Sequence, residues 1–147
     1  MTDQDLREYR SHARSTGTFG RVLCSAREHH FVIDGPVWNG CPGEELTPGE
    51  AFMAAIAACG VELVEVLAAA EELPVGRVEV SIHGVVDRND PIREDVTVFN
   101  RVWLGYEIEG VSPKDAEYLV DGVKRRCPLY GCLAASVPDL DVEVRVT

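Results

Sequence analysis

Hydrophobic and polar positions follow two different patterns along the chain, and these patterns separate predicted strands from predicted helices. Apolar and polar residues alternate in 77–86 and 140–146, which is typical of half-buried strands. Apolar runs bounded by Gly, Pro and Asp predict further strands over 19–24, 30–34 and 95–108. Residues 1–17 are polar, as in an arm or an early strand.

A long helix is predicted to begin at Pro48 and to end near Glu72. Thr47 is a good N-cap residue, proline is favoured at the first helical position, and Glu50 completes a capping box. Residues 51–61 carry no charge on any face, so this half of the helix is expected to be buried on all sides. A chain of 147 residues has little material to wrap such a helix, which suggests that a second subunit helps.

A second helix is predicted to open at Ser112-Pro113. One face of it carries Ala116, Leu119, Val120, Val123 and Cys127, and Pro128 should end or kink it. The predicted order is β-β-α-β-β-α-β. This order indicates an α+β fold, with strands packed against a central helix in a single domain over residues 1–147.

Charge and composition exclude several classes of function. The net charge of −11 disfavours binding to nucleic acid and to anionic membrane surfaces. No uncharged apolar run reaches the ~18 residues of a membrane span, so no transmembrane helix is expected. The polar start of the chain does not resemble a secretory signal, which predicts a cytoplasmic protein. There is no phosphate-binding loop and no dinucleotide fingerprint.

The five cysteines offer the strongest chemistry in the sequence. Their odd number and uneven spacing do not suit a disulfide framework, and thiols in the cytosol stay reduced unless they are catalytic, redox-sensing or metal-bound. The Cys127-x4-Cys132 spacing does not match a zinc knuckle, so no metal and no cofactor are expected. Cys59 has two interpretations. It is a buried packing residue, or it forms a redox pair with Cys127 if the two Cα atoms approach within ~7 Å.

Two groups of residues resemble the OsmC/Ohr superfamily. The first is a Thr-Pro-x-Glu-x8-Cys helix, here Thr47, Pro48, Glu50 and Cys59. The second is the Cys127-Pro128 pair at the end of the later helix. Gly49 follows Pro48 where the Ohr branch has a different residue, so the chain is closer to the broad OsmC-like branch.

The resemblance implies an intertwined homodimer with two sites at the subunit interface, and a cysteine-based peroxidase that reduces organic hydroperoxides or hydrogen peroxide. Cys59 would be the peroxidatic thiolate and Cys127 the resolving thiol. A dithiol would recycle their disulfide, and a lipoylated protein is one such reductant. Glu50 would join the site beside its capping role, and an arginine of the amino-terminal segment, Arg21 or Arg14, would hold the thiolate.

Other functions stay open at this level, since a fold does not fix a function. One is a non-catalytic OsmC-like protein that binds a small apolar ligand at the dimer interface. Another is a thiol redox sensor. Pro128 interrupts the second helix, so Cys132 competes with Cys127 as the partner of Cys59; Cys127 is favoured because it continues the apolar face of that helix. The sequence does not assign roles to Cys24 or Cys41.

Overall fold

The computed structural model describes residues 6–147, and its residues fall into two compact units, one ending at Phe52 and the other beginning at Met53. The fold class is α+β, as predicted. The prediction of a single domain is not tested by this division and stays a prediction. The first five residues of the predicted polar arm lie outside the described residues.

The amino-terminal unit contains a three-stranded antiparallel sheet of β1 (His12–Ser15), β2 (Arg21–Ala26) and β3 (His29–Asp34). The two strands predicted here lie within two residues of their observed bounds. The early strand that the sequence left open is β1, which pairs along β2 with Ala13 opposite Cys24. The following Gly- and Pro-rich segment is a loop, as predicted, with one 3-10 turn at Val37–Asn39.

Asp34 is the electrostatic centre of this unit. Its side chain is fully buried and accepts two hydrogen bonds from the Arg21 guanidinium, both at 2.8 Å. The backbone N–H groups of Glu44 and Glu45 also donate to it, at 3.0 and 3.1 Å. These donors, Arg21 foremost, hold the pKa of the Asp34 carboxyl well below its usual range. One carboxylate therefore ties β2, β3 and the loop before the long helix together.

We expect Asp34→Asn to lower the thermal midpoint of unfolding at neutral pH, because the amide cannot pair with Arg21 as an ion. The folded-state pKa of Asp34 is depressed, so its contribution is complete above the unfolded pKa of about 3.9 and is lost as the pH falls. The difference in midpoint between the two proteins should therefore shrink below about pH 4. Calorimetry from pH 7 to pH 3 measures the two midpoints. A difference that stays constant over this range would contradict a stabilising role of the ionised Asp34 carboxylate.

Helix α1 runs from Pro48 to Ala70, close to its predicted bounds. The capping box forms as expected: the Thr47 N–H donates to the Glu50 carboxylate at 2.8 Å, and the Glu50 N–H donates to the Thr47 hydroxyl at 3.4 Å. At the other end, Glu72 adopts a positive φ of 53°, and the Leu73 N–H returns to the Ala68 carbonyl at 2.9 Å. Pro74 then prevents the helix from continuing.

The carboxy-terminal unit contains a second three-stranded sheet, in the order β4 (Val78–Val85), β5 (Arg101–Ile108), β6 (Asp139–Val146). The predicted antiparallel pairing of β4 and β5 is confirmed, and β6 joins β5 in parallel. Strand β5 begins six residues later than the predicted 95–108. Asn100 explains the difference, because its side chain accepts from the Asp87 N–H at 2.7 Å and donates to the Asp90 carbonyl at 2.6 Å, which stabilises a loop.

Two helices lie between β5 and β6. Helix α2 (Pro113–Arg126) ends just before Pro128, as predicted, and its Ser112 cap accepts from the Asp115 N–H at 3.1 Å. Helix α3 (Pro128–Ser136) was not predicted as a separate element. Proline at the first helical position is compatible with a new helix start, so the same residue both ends one helix and opens the next.

The core of this unit lies between α1, α2, α3 and one face of the second sheet. Strand β5 alternates strictly, with its even-numbered side chains buried and its odd-numbered ones more exposed. Helix α1 contributes only part of its surface. The fully or largely buried members of the core are Ile56, Leu63, Val64, Ala68, Val102, Leu104, Tyr106, Ile108, Ala116, Leu119, Val120, Val123, Cys127, Leu133 and Val137.

Much of α1 is not covered by its own chain. Among the described helices it is the one with the length and apolar composition of a membrane span, with a mean hydropathy of 2.0 in an 18-residue window, and 28% of that window is buried. The core helix of a soluble protein can have the same length and apolar composition. The expectation that the chain has no membrane-spanning segment therefore stays a prediction.

Candidate functional site

The structure brings Cys59 and Cys127 into direct contact. Cys59 lies in the middle of α1, and Cys127 lies at the junction of α2 and α3. The Cys127 thiol donates a hydrogen bond to the Cys59 sulfur, with the two sulfur atoms 2.8 Å apart. Neither cysteine forms a disulfide in the structure. Because a disulfide bond measures about 2.05 Å, the sulfurs need to approach by less than about 1 Å to join.

The position of Cys127 follows from the two helices that meet there. Its N–H caps α2 by donating to the Val123 carbonyl at 2.8 Å. Its sulfur caps α3 by accepting from the Tyr130 N–H at 3.3 Å. Pro128 keeps Cys127 extended, with φ −85° and ψ 110°, because the residue before a proline is disfavoured in the helical region. This geometry points the thiol into the core rather than along a continuous helix.

Gly60 lets the sheet approach α1 beside Cys59. A Cβ atom at position 60 would lie 2.9 Å from the Tyr106 hydroxyl oxygen and 3.3 Å from a Val80 methyl carbon. Tyr106 is 2% exposed, so its ring has little room to retreat. Only glycine therefore allows β4 and β5 to pack this closely against the helix at the level of the thiol pair.

The Cys59 thiol is held in its protonated form within this chain. Its pKa is raised to about 12, and burial is the largest cause. The hydrogen bond and the charge of Cys127 come next, and the carboxylate of Glu62, one helical turn away, adds to them. Burial, with negative charge on the two cysteines, also raises the pKa of Tyr106 to about 12. A thiolate at position 59 therefore needs a further source of positive charge.

The structure places the other predicted site residues, Glu50 and the two candidate arginines, in the amino-terminal unit. Glu50 is exposed and engaged in the capping box, and its hydrogen bonds from Thr47 lower the pKa of its carboxyl. Arg21 pairs with Asp34 and also with Glu44 at 2.6 Å. Arg14 lies exposed on β1. The catalytic roles of Glu50 and of either arginine stay predictions.

The remaining cysteines do not join the pair. Cys24 is buried on β2 and Cys132 is exposed on α3. Cys41 fills a notch between two glycines, since a Cβ at Gly20 or at Gly35 would lie within 2.4 Å of its sulfur. Among residues 6–147 no group of three or more His, Cys, Asp or Glu side chains is arranged to hold a metal ion.

The chain matches the OsmC-like protein family over residues 41–143, which is more than half of its length and includes both thiols of the pair. It belongs to this family. No curated protein matches it by sequence.

Solved structures of this OsmC-like fold cover nearly the whole chain. An OsmC-like protein from Mycoplasma pneumoniae is 20% identical with a TM-score of 0.78, and the match covers 96% of both chains. An organic hydroperoxide resistance protein from Elizabethkingia anophelis is 16% identical with a TM-score of 0.73, covering 97% of this chain and 96% of the other. The organic hydroperoxide resistance protein OhrB of Bacillus subtilis is 20% identical with a TM-score of 0.62, covering 96% and 98%.

Several residues around the pair were not singled out from the sequence. Tyr130 acts through its backbone N–H, which every non-proline residue has, so no side-chain signal could reveal it. Gly60 directly follows Cys59, and a glycine inside a strong helix pattern is itself a sign of close packing. Glu62 follows Cys59 by three residues, and helical spacing alone places it near the thiol.

Oxidation by one equivalent of peroxide should link Cys59 to Cys127 and leave Cys132 free. The contact between the first two sulfurs and the exposure of the third are the reason. Peptide mapping after alkylation measures both outcomes. A bond from Cys132 to either partner would contradict this pairing.

Proposed function

We propose that this OsmC-like protein is a thiol peroxidase that reduces organic hydroperoxides. The observation that carries the proposal is the direct contact of the Cys59 and Cys127 sulfurs. Two thiols at this distance, one partly exposed and one buried, suit a reaction in which one sulfur is oxidised and the other resolves it. The likeness to organic hydroperoxide resistance proteins supports this class of substrate.

The proposed cycle has three steps. The Cys59 thiolate attacks the terminal oxygen of the hydroperoxide and the O–O bond breaks. Cys59 becomes a sulfenic acid, and the leaving alkoxide takes a proton from water to give the alcohol. The Cys127 thiol then attacks the Cys59 sulfur, water leaves, and a disulfide forms. A dithiol, for which a lipoylated protein is one source, finally reduces the disulfide by two exchange steps.

Deprotonation of Cys59 is the step of the cycle that requires a positive charge from elsewhere. Its pKa of about 12 in the single chain leaves almost no thiolate at neutral pH. We propose that an arginine of the amino-terminal unit, Arg21 or Arg14, supplies the positive charge, with Glu50 orienting it. Asp34 and Glu44 already hold Arg21 through its side chain, so Arg14 is the freer of the two.

Hydroperoxide consumption by the purified protein tests this proposal. Cumene hydroperoxide and dithiothreitol serve as oxidant and reductant, and the remaining peroxide is measured over time. Turnover well above the rate of dithiothreitol alone supports a peroxidase. Its absence would favour the second candidate, a non-catalytic OsmC-like protein that binds a small apolar ligand at a dimer interface. The raised pKa of Cys59 is the observation that favours this alternative.

We also propose that the protein is a homodimer. In the uncharged stretch of α1 over residues 51–61, Ala54, Ala55 and Ala58 are exposed, and Val66, further along the helix, is 42% exposed. Apolar surface of this kind is stabilised by burial against a partner, and obligate interfaces generally exceed about 2,000 Å² in total. A second copy would bury this exposed apolar face of α1.

Sedimentation equilibrium should accordingly give about twice the 16.1 kDa mass of the chain at micromolar concentration. Ala58→Glu, which places a charge on the exposed face of α1 one residue before Cys59, should shift the protein toward monomer. Lys114→Glu, at the exposed start of α2, is the control for adding a surface charge. A folded wild-type monomer at this concentration would refute the dimer.

A further inference from the structure

The two sulfurs of the pair are not equivalent toward an external thiol. Cys127 is 3% exposed and belongs to the hydrophobic core, whereas Cys59 is only partly buried and lies at the edge of that core. Thiol–disulfide exchange requires a thiolate to reach one sulfur directly, so access selects which sulfur is attacked. Access therefore favours Cys59.

We propose that the reducing thiol attacks the Cys59 sulfur and that Cys127 leaves as a thiolate. This inference rests on the disulfide of the proposed function and adds the direction in which that disulfide opens. It differs from the assignment of peroxidatic and resolving roles, because either sulfur of a finished disulfide is open to attack.

The surroundings of Cys127 suit a leaving group. Its sulfur already accepts the Tyr130 N–H at 3.3 Å, and it caps the amino terminus of α3. Aligned peptide dipoles at this end of a helix stabilise negative charge, and a hydrogen bond to an anion is stronger than one to a neutral group. Cys59 lies in mid-helix, where the N–H groups are engaged, and Glu62 opposes negative charge on it. Burial disfavours a thiolate at either sulfur, but of the two Cys127 has an N–H donor and a helix amino terminus to offset that cost.

The electron balance is that of two successive exchanges. A thiolate of the dithiol forms a bond to the Cys59 sulfur while the Cys59–Cys127 bond breaks, and the electron pair goes to Cys127. The second thiol of the reductant then displaces Cys59 and closes the reductant into a cyclic disulfide. Two electrons pass from the dithiol to the protein, and its two protons end on Cys59 and Cys127.

The first exchange can be trapped with a monothiol. The wild-type protein is oxidised with diamide, treated briefly with excess 2-mercaptoethanol, quenched with iodoacetamide and mapped by mass spectrometry. We expect mercaptoethanol on Cys59 and carbamidomethyl on Cys127 at the earliest times, in large excess over the reverse pattern. The reverse pattern, or equal amounts of both, would overturn the proposal, as would failure of diamide to join these two cysteines.

Diamide needs no peroxidase activity. A protein that does not consume hydroperoxide can still give either labelling pattern, so failure of the proposed function and failure of this inference are separate results.

A pair of variants tests the contribution of the N–H group. Tyr130→Pro removes both the tyrosine side chain and the backbone N–H donor. Tyr130→Ala removes the same side chain but keeps the N–H. Reduction of the diamide-formed disulfide by 2-mercaptoethanol should be about tenfold slower in the proline variant than in the alanine variant. Equal rates in two variants with wild-type circular dichroism would overturn this role. If the proline variant does not fold, the labelling pattern of the wild type still decides the direction of opening.

Discussion

Replacing Cys59 with serine should reduce hydroperoxide turnover to the rate of the reductant alone. The hydroxyl of serine cannot accept an oxygen atom from the peroxide, so the sulfenic acid on which the proposed cycle depends cannot form. The substitution changes one partly buried atom and should leave the fold intact. Peroxide consumption with dithiothreitol is the measurement, and circular dichroism confirms folding.

Two further cysteine variants act as controls for this result. Cys132→Ser should keep wild-type turnover, because Cys132 is exposed and does not contact the pair. Cys127→Ser should form the sulfenic acid at Cys59 but accumulate it, and excess peroxide should convert it to the sulfinic acid. Dimedone labelling and intact mass detect both species. Equal turnover in Cys59→Ser and wild type would refute the assignment of Cys59.

Gly60→Ala should destabilise the protein, although alanine is the better helix former. Helix propensity alone predicts a gain of up to about 1 kcal/mol for this substitution. The new methyl group would lie 2.9 Å from the buried Tyr106 hydroxyl and 3.3 Å from Val80, so the sheet must move away from α1. Overpacking of this kind costs about 1–3 kcal/mol, which outweighs the propensity term. Urea denaturation measures the net change.

Gly131→Ala is the matched control, since it also lies in a helix of the same unit. A Cβ at position 131 has no neighbour within 4 Å, so this variant should gain stability from propensity alone. The two substitutions are thus expected to change the free energy of unfolding in opposite directions. Equal stabilisation by both would mean that the close contact of Gly60 with Tyr106 does not constrain the fold.

Local sequence signals were sufficient wherever the deciding interactions are local. The Thr47–Glu50 capping box joins residues three apart, and it was predictable because both partners lie within one helical turn. The same holds for the end of α2 before Pro128 and for the alternation in β4 and β6, which reflects one buried face of a sheet.

Helix α3 and the late start of β5 show where local signals fail. Pro128 is compatible with a helix end and with a helix start. The second helix is stabilised by a tertiary contact, the packing of Leu133 into the core. The apolar residues of 95–98 continue the strand pattern, yet the Asn100 side chain, bonded to residues ten and thirteen positions away, stabilises a loop. The sequence pattern carries no information on such a bond.

The candidate site divides in the same way. The sequence by itself determined the family motif, the two thiols worth testing and the net charge of −11, since these depend on residue type and spacing. Only the tertiary structure decided that the sulfurs of Cys59 and Cys127, 68 positions apart, lie 2.8 Å from each other. It also decided that Arg21 is held by Asp34 and that Tyr130 offers its N–H to Cys127. Contacts between distant segments depend on how whole elements pack, and no local pattern of side chains encodes that packing.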